Sequence, residues 1–255
     1  MKFIVFRLSS IKKLFLVFVL LALLCVNLDG GTVAGVYLGQ SIRKVPIYSV
    51  QTQEAKVAIS FDAAWGADKT EKIMEICKEY NVNATFFLVG FWVDKYSDIV
   101  KKIDENGFEI GTHSNTHPDM CKLDKDGMKF ELETSIKKIK DITNKEVTLF
   151  RAPYGSYNND LISVADSLNL KTIQWDVDSL DWKGLSAEQI SLRIINGAKN
   201  GSIILCHNNS DHILDALPIV LDRLQKKGFK VTNIGDLIYQ NDYSINGQGT
   251  QIKNS

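Results

Sequence analysis

Val57-Ala58-Ile59-Ser60-Phe61-Asp62, then the segment Asp68–Tyr80, then Ala84-Thr85-Phe86-Phe87-Leu88-Val89: the reading of this stretch decides the fold. Its two outer runs have strand length and are rich in β-branched and aromatic residues. Between them, Ile73, Ile76, Cys77 and Tyr80 recur at the three- and four-residue spacing that keeps side chains on one helical face. Strand, helix, strand is the unit of a parallel sheet, because parallel neighbours need a long crossover where antiparallel ones need only a tight turn.

The same rhythm continues outward. Strand-like runs follow at Phe108–Gly111, Val147–Phe150, Lys171–Trp175, Ser202–Leu205 and Lys230–Ile234. Amphipathic segments at Asp98–Asn106, Asp124–Ile142, Asn158–Leu168, Ser186–Lys199 and Asp211–Lys227 separate them. Asp68 and Ser186 stand where helix caps belong, with Gln189 completing a capping box, and Asn106-Gly107 and Lys227-Gly228 supply stops. Seven such units predict an α/β fold, a closed or nearly closed (β/α) barrel of about seven parallel strands. The first strand is followed by no Gly-x-Gly-x-x-Gly, which argues against a dinucleotide-binding sheet.

The N-terminal thirty residues read differently. Lys2, Arg7, Lys12 and Lys13 precede Leu14–Leu28, interrupted only by Asn27 and closed by Asp29-Gly30-Gly31. A basic start before an apolar run predicts export. No Ala-x-Ala-like cleavage site follows closely, and Leu24 stands before Cys25 where a lipoprotein signal needs a small residue, so retention as a membrane anchor is expected. The chain therefore divides into an anchor segment at 1–30, a linker at 31–54, a main domain at 55–240 and a polar tail at 241–255, expected to fray.

Composition bounds the class without naming it. Of 255 residues 45% are apolar and 24% charged, with zero formal net charge, so the chain is globular and has no basic excess to draw nucleic acid. Cys25, Cys77, Cys121 and Cys206 show no paired spacing, which argues against both a disulfide framework and a cysteine-ligated zinc site. Cys206 precedes His207 on a strand and so faces the other way, as a small core residue.

Polar residues collect where strands end. Asp62 follows the first strand, His113 and His117 the third, Arg151 the fourth, Asp176–Trp182 the fifth and His207 the sixth. Parallel barrels do their chemistry at this end. His113 and His117 are two of only four histidines. At a spacing of four they would share a face of a helical turn, and two neutral imidazoles begin a divalent-metal site. Trp65, Trp92 and Trp175 read as core or rim, and His212 as a surface histidine.

Five strings now carry a resemblance. Ser60-Phe61-Asp62, His113-Ser114-Asn115-Thr116-His117, Arg151-Ala152-Pro153-Tyr154-Gly155, Asp178-Ser179-Leu180-Asp181-Trp182 and Leu205-Cys206-His207 resemble, in order, the five motifs of the polysaccharide deacetylases, the NodB-homology carbohydrate esterases. The fuller strings Ile59–Gly66 and Gln174–Trp182 are similar to the sporulation-associated PdaB-type branch. The resemblance implies a distorted NodB-like barrel and removal of N-acetyl groups from a cell-wall glycan, peptidoglycan in a spore-forming bacterium. It implies a divalent metal ion, with zinc the expected one, held by His113 and His117. Asp62 would be the base, Arg151 its orienting partner, and His207 the acid, with Asp181 and secondly Asp178 raising its pKa. The Tyr154 backbone N–H would serve the oxyanion, and Trp182 and Leu205 would wall the acetyl groove.

One residue departs from the family's pattern. Ala63 stands where the family has a second aspartate, the third protein ligand of the metal. Asp62 itself, Asp68, another loop carboxylate or water would have to complete the set. Ala63 motivates the alternative of a catalytically silent glycan-binding or assembly protein. A glycosidase built on Asp62 and the acids of the fourth motif would leave His113, His117 and His207 without a task.

Overall fold

The computed structural model describes residues 15–19 and 43–254. Residues 15–19 are helical and belong to a unit (residues 1–43) separate from the main one. Among the described residues no helix is long and apolar enough to cross a membrane. The rest of the expected anchor over 1–30 lies outside the described residues.

The main unit is organised around β2 (Lys56–Ala63), whose side chains from Val57 onward are all buried. Burial on both faces is why this strand reads as a near-continuous apolar run. β3 (Thr85–Leu88), β4 (Glu109–Thr112), β5 (Leu149–Phe150) and β6 (Lys171–Thr172) extend the sheet on one side. On the other side β8 (Ile203–His207) pairs with β2 and with β7 (Val177–Asp178). β9 (Lys230–Thr232) pairs with the opening residues of β2, at Lys56–Ala58, on the side where β3 joins only from Ser60 onward. All these pairings are parallel. The seven expected strands are present, and β7 is an additional one that the sequence did not announce.

Alternation along β2 sorts its residues into two compartments. Val57, Ile59, Phe61 and Ala63 join the core beneath the surrounding helices, while Ala58 joins a second apolar cluster with Phe87, Ile173 and Ile203 inside the barrel. Ser60 and Asp62 therefore share the inner face.

The barrel is not closed by strand pairing: β6 and β7, at the two ends of the sheet, are not neighbours in it. The chain before β2 fills that seam. Ile47 donates its N–H to the Thr172 carbonyl at 2.9 Å and accepts from Gln174 at 2.7 Å, and Ser49 bridges Ser202. The described part of the expected linker is thus a piece of the barrel, with Ile47 and Val50 buried.

The tail also differs from expectation. β10 (Tyr243–Ile245) and β11 (Thr250–Lys253) form a hairpin, and β11 runs parallel to β1 (Ser49–Val50). Gln251, fully buried, accepts from the Tyr239 N–H and donates to its carbonyl, both at 2.8 Å. Polar composition suggested fraying, but backbone pairing and this amide satisfy the polar groups inside the structure.

Helix ends follow the sequence with one exception. Ser186 and Gln189 form the full capping box, and Asp124 and Asn158 cap their helices through Gly127 and Leu161. Asp68 caps nothing: the helix Thr70–Glu79 starts after Lys69 without a side-chain bond. The short helix Gly90–Lys95 was also not read from the sequence.

Candidate active site

Strand register creates the centre. Asp62 and His207 are paired neighbours on β2 and β8, at the ends where both strands stop. Each has its own dedicated partner. Arg151 Nη1 donates to Asp62 Oδ1 at 2.8 Å and to Ser60 Oγ at 2.9 Å, and its Nη2 donates to the Gln174 carbonyl at 3.3 Å. The guanidinium has no exposed surface and lies over the Phe87 ring at 4.2 Å. A planar fork packed on an aromatic face fixes both the position and the orientation of the carboxylate.

On the other strand, Asp181 grips His207 twice. Its Oδ2 accepts the His207 backbone N–H at 2.8 Å, and its Oδ1 lies 2.7 Å from Nδ1. A carboxylate only accepts, so Nδ1 carries the proton and Nε2 is left for the cavity. The other two acids of this region are occupied elsewhere. Asp178 Oδ1 accepts the Leu180 N–H at 2.9 Å and so braces a turn. Asp176 binds the Ser202 hydroxyl and the Ile203 N–H.

The two histidines of the third strand's loop meet, but not through a helix. Their ring centroids are 4.9 Å apart, edge to face, in a loop where Ser114 and His117 have φ of 68° and 58°. Left-handed backbone at these two positions needs support. Ser114 Oγ accepts the His117 N–H at 2.9 Å. The buried carboxylate of Glu131, from the helix Lys125–Thr143, accepts the N–H groups of Asn115 and Thr116 and the Thr116 hydroxyl at 2.7–2.8 Å. Sequence reasoning missed Glu131. Its signal was an acid on the face shared by Met128, Leu132 and Ser135, where an apolar residue is expected.

His113 donates Nδ1–H to the Arg151 carbonyl at 2.8 Å, which turns its Nε2 lone pair toward Asp62 Oδ2 at 3.5 Å. Burial lowers the pKa of His113 and outweighs the pull of Asp62. His117 is lowered to about 4, by burial first and by His113 next. Both rings are therefore neutral bases near pH 7. Burial works against the Asp62 charge, yet Arg151, His113 and His207 together hold its pKa below the usual carboxylate value. Burial also works against a charged His207, but the bond and charge of Asp181 outweigh it and raise its pKa. A carboxylate held toward its ionised form and an imidazole held toward its protonated form thus stand side by side, the one able to take a proton and the other to give one. Cys206 faces the opposite way into the core, where burial drives its thiol pKa well up.

Of the residues given a role from the sequence, Asp62, His113, His117, Tyr154, Asp178, Asp181, Trp182, Leu205 and His207 line one cavity of about 680 Å³, and Arg151 lies fully buried behind Asp62. Tyr154 (71% exposed, φ 60°) sets its ring edge to face with His117 at 4.8 Å, and Trp182 and Leu205 form part of the wall. Of the four sequence tryptophans, Trp92 is core and Trp175 half-buried, while Trp65 and Trp182 are exposed on the cavity. His212 is an exposed surface residue, as read.

The donor set fits a divalent cation in two positions. His113 and His117 offer neutral imidazoles, and His117 Nδ1 is buried without a hydrogen-bond partner. Position 63 offers only a buried methyl group on the helix side of β2. Among the described residues no three His, Cys, Asp or Glu side chains gather as a ligand set.

The polysaccharide deacetylase profile matches residues 49–173. The Bacillus cereus peptidoglycan-N-acetylglucosamine deacetylase is 33% identical over 195 residues, covering 73% of this chain and 70% of that protein. The chain belongs to the polysaccharide deacetylase family. The uncharacterised Bacillus subtilis protein YlxY is 31% identical over 199 residues, and the match covers 78% of this chain but only 62% of YlxY. Among solved structures, a CE4 family pseudoenzyme from Bacillus anthracis superposes with a TM-score of 0.74 at 34% identity, covering 76% of this chain and 68% of that one. A mutant of that pseudoenzyme with restored enzymatic activity matches equally, at TM-score 0.74 and 35% identity, over 76% and 71% of the two chains. These members share the distorted β/α barrel with this polysaccharide deacetylase family chain.

Proposed function

We propose that the protein hydrolyses N-acetyl groups on a cell-wall glycan, peptidoglycan by kinship with the Bacillus cereus enzyme, leaving a free amine on the sugar and releasing acetate. The observation that carries this reading is the register pair Asp62–His207, each member held by its own buried partner and both facing the cavity of the two histidines.

The division of labour follows from charge. Asp62, ionised and held by Arg151, takes a proton from the attacking water. As that oxygen bonds to the acetyl carbon, the carbonyl oxygen gains negative charge, which the Tyr154 N–H stabilises. His207, kept protonated by Asp181, gives its Nε2 proton to the nitrogen as the carbon–nitrogen bond breaks. Trp182 and Leu205 receive the acetyl methyl. A divalent cation, zinc in our reading, would be held by His113 and His117 and would supply Lewis-acid polarisation of the acetyl group. Asp178 serves the loop rather than the proton transfer. The basic and apolar N-terminal segment supports export with membrane tethering, and the PdaB-like strings support a role in sporulation.

The purified chain is expected to release acetate from N-acetylated peptidoglycan when a divalent metal is supplied, to lose that activity on chelation, and to lose it in His117→Ala. A second reading rests on Ala63 and on the similarity to a pseudoenzyme: a silent glycan-binding protein. Glycan binding by the metal-supplied protein with no acetate released would select it.

A further inference from the structure

We propose that Trp65 is a stacking platform for a sugar ring flanking the one that reacts, so that the site takes a glycan strand in preference to a single sugar. This rests on reading the cavity as a glycan site. Trp65 comes from none of the five motif roles, and its ring is 65% exposed on the cavity. An exposed indole on the cavity wall offers an apolar face that a ligand in the cavity can cover, which would bury that face.

The platform is built rather than loose. The next residue, Gly66, has φ of 60°, and its carbonyl accepts from the Trp92 indole N–H at 2.6 Å and from the Asn208 amide at 3.0 Å. A Cβ on Gly66 would press on the exposed Asn209 side chain at 2.8 Å, and glycine adopts this left-handed φ without strain. Phe91 backs the Trp65 ring at 5.3 Å with a 36° tilt. A ring fixed in this way loses little freedom when a ligand arrives.

Its position gives the direction of the strand. Trp65 follows β2 and stands 6.2 Å from the His117 ring, whereas Trp182 follows β7, on the far side of β8. In strand order His207 on β8 lies between the two indoles, with Asp62 on the strand that leads to Trp65. The C–H face of a pyranose suits an indole face, and a sugar on Trp65 is set beside the reacting ring rather than on it.

The test uses the full chain with a peptide-free peptidoglycan hexasaccharide and the matching disaccharide, reading Kd by calorimetry and kcat and KM by acetate release. Trp65→Ala is expected to raise Kd and KM for the hexasaccharide about tenfold while kcat falls less than about threefold, and Trp65→Phe to recover most of the loss. Phe130→Ala, which removes an exposed ring on a helix away from the cavity, controls for general loss of apolar surface. Unchanged hexasaccharide binding in Trp65→Ala overturns the proposal, as does a fall in kcat without a rise in KM, which would mean that Trp65 only props His117. Trp65-dependent binding without acetate release leaves this inference standing and sinks the deacetylase reading. Acetate release indifferent to Trp65 does the reverse.

Discussion

Asp181 holds His207 through both a backbone and a ring contact, and that grip sets a pH dependence. Because the folded pKa of His207 is raised above its ordinary 6.5, the stability it contributes is full below that value and is lost as pH rises through the folded pKa. The alkaline limb of the pH–kcat/KM profile should accordingly lie above 6.5, and Asp181→Asn should move it down. An unmoved limb in that variant would assign the titration to another group. Ala63 supports a second prediction at this scale. A carboxylate there would enter an apolar compartment and needs a cation to offset its desolvation. In Ala63→Asp, metal-free protein is expected to lose about 3 kcal/mol of stability, and added zinc to return much of it. Thermal melts of the variant that ignore zinc would remove position 63 from the ligand set.

At the scale of the element, the loop Gly111–Pro118 depends on a helix that contributes nothing to the chemistry. Three groups of this loop bond to one carboxylate, Glu131, so the left-handed turn that brings the two imidazoles together is imposed from outside. Glu131→Ala should lower kcat/KM by about a hundredfold, since misplacing a site by about 1 Å costs that much. It should also weaken metal binding, measured by calorimetry, with the helix content by circular dichroism retained. Intact metal affinity in that variant would show that the loop holds its own shape. The sequence singled out His113 and His117, whose rings the structure brings together, but implied the wrong local geometry. Spacing of four suggested a helical face, but φ values at Ser114 and His117 depend on Glu131, which lies sixteen residues beyond Asn115 and joins it only through packing.

At the scale of the whole main unit, the described segments before β2 and after β9 complete the barrel. Ile47 joins the sheet margin at Ile173, Ser49 reaches Ser202, and the terminal hairpin seals β1 from outside. Gly201, at φ 80°, marks how close this seam is, for a Cβ there would stand 1.7 Å from the Val50 carbonyl oxygen. Removing residues 242–255 should expose β1 and leave Tyr239 without its Gln251 partner, lowering the melting temperature by about 10 °C. An unchanged melting temperature would mean that the hairpin is an appendage.

The sequence by itself determined the seven parallel strands and the residues at their ends, because burial periods of two and 3.6 are written locally and because the five motifs keep their order. It also determined that position 63 lacks a carboxylate. Motif order ranked Asp181 before Asp178 as the partner of His207, and tertiary structure decided between them, since Asp176, Asp178 and Asp181 lie within six residues and differ only in where the chain turns them. Tertiary structure alone decided that the seam is filled by Ile47 and that Trp65 rather than Trp92 faces the cavity. Those choices rest on contacts between segments distant in the chain, whose energies no local spacing records.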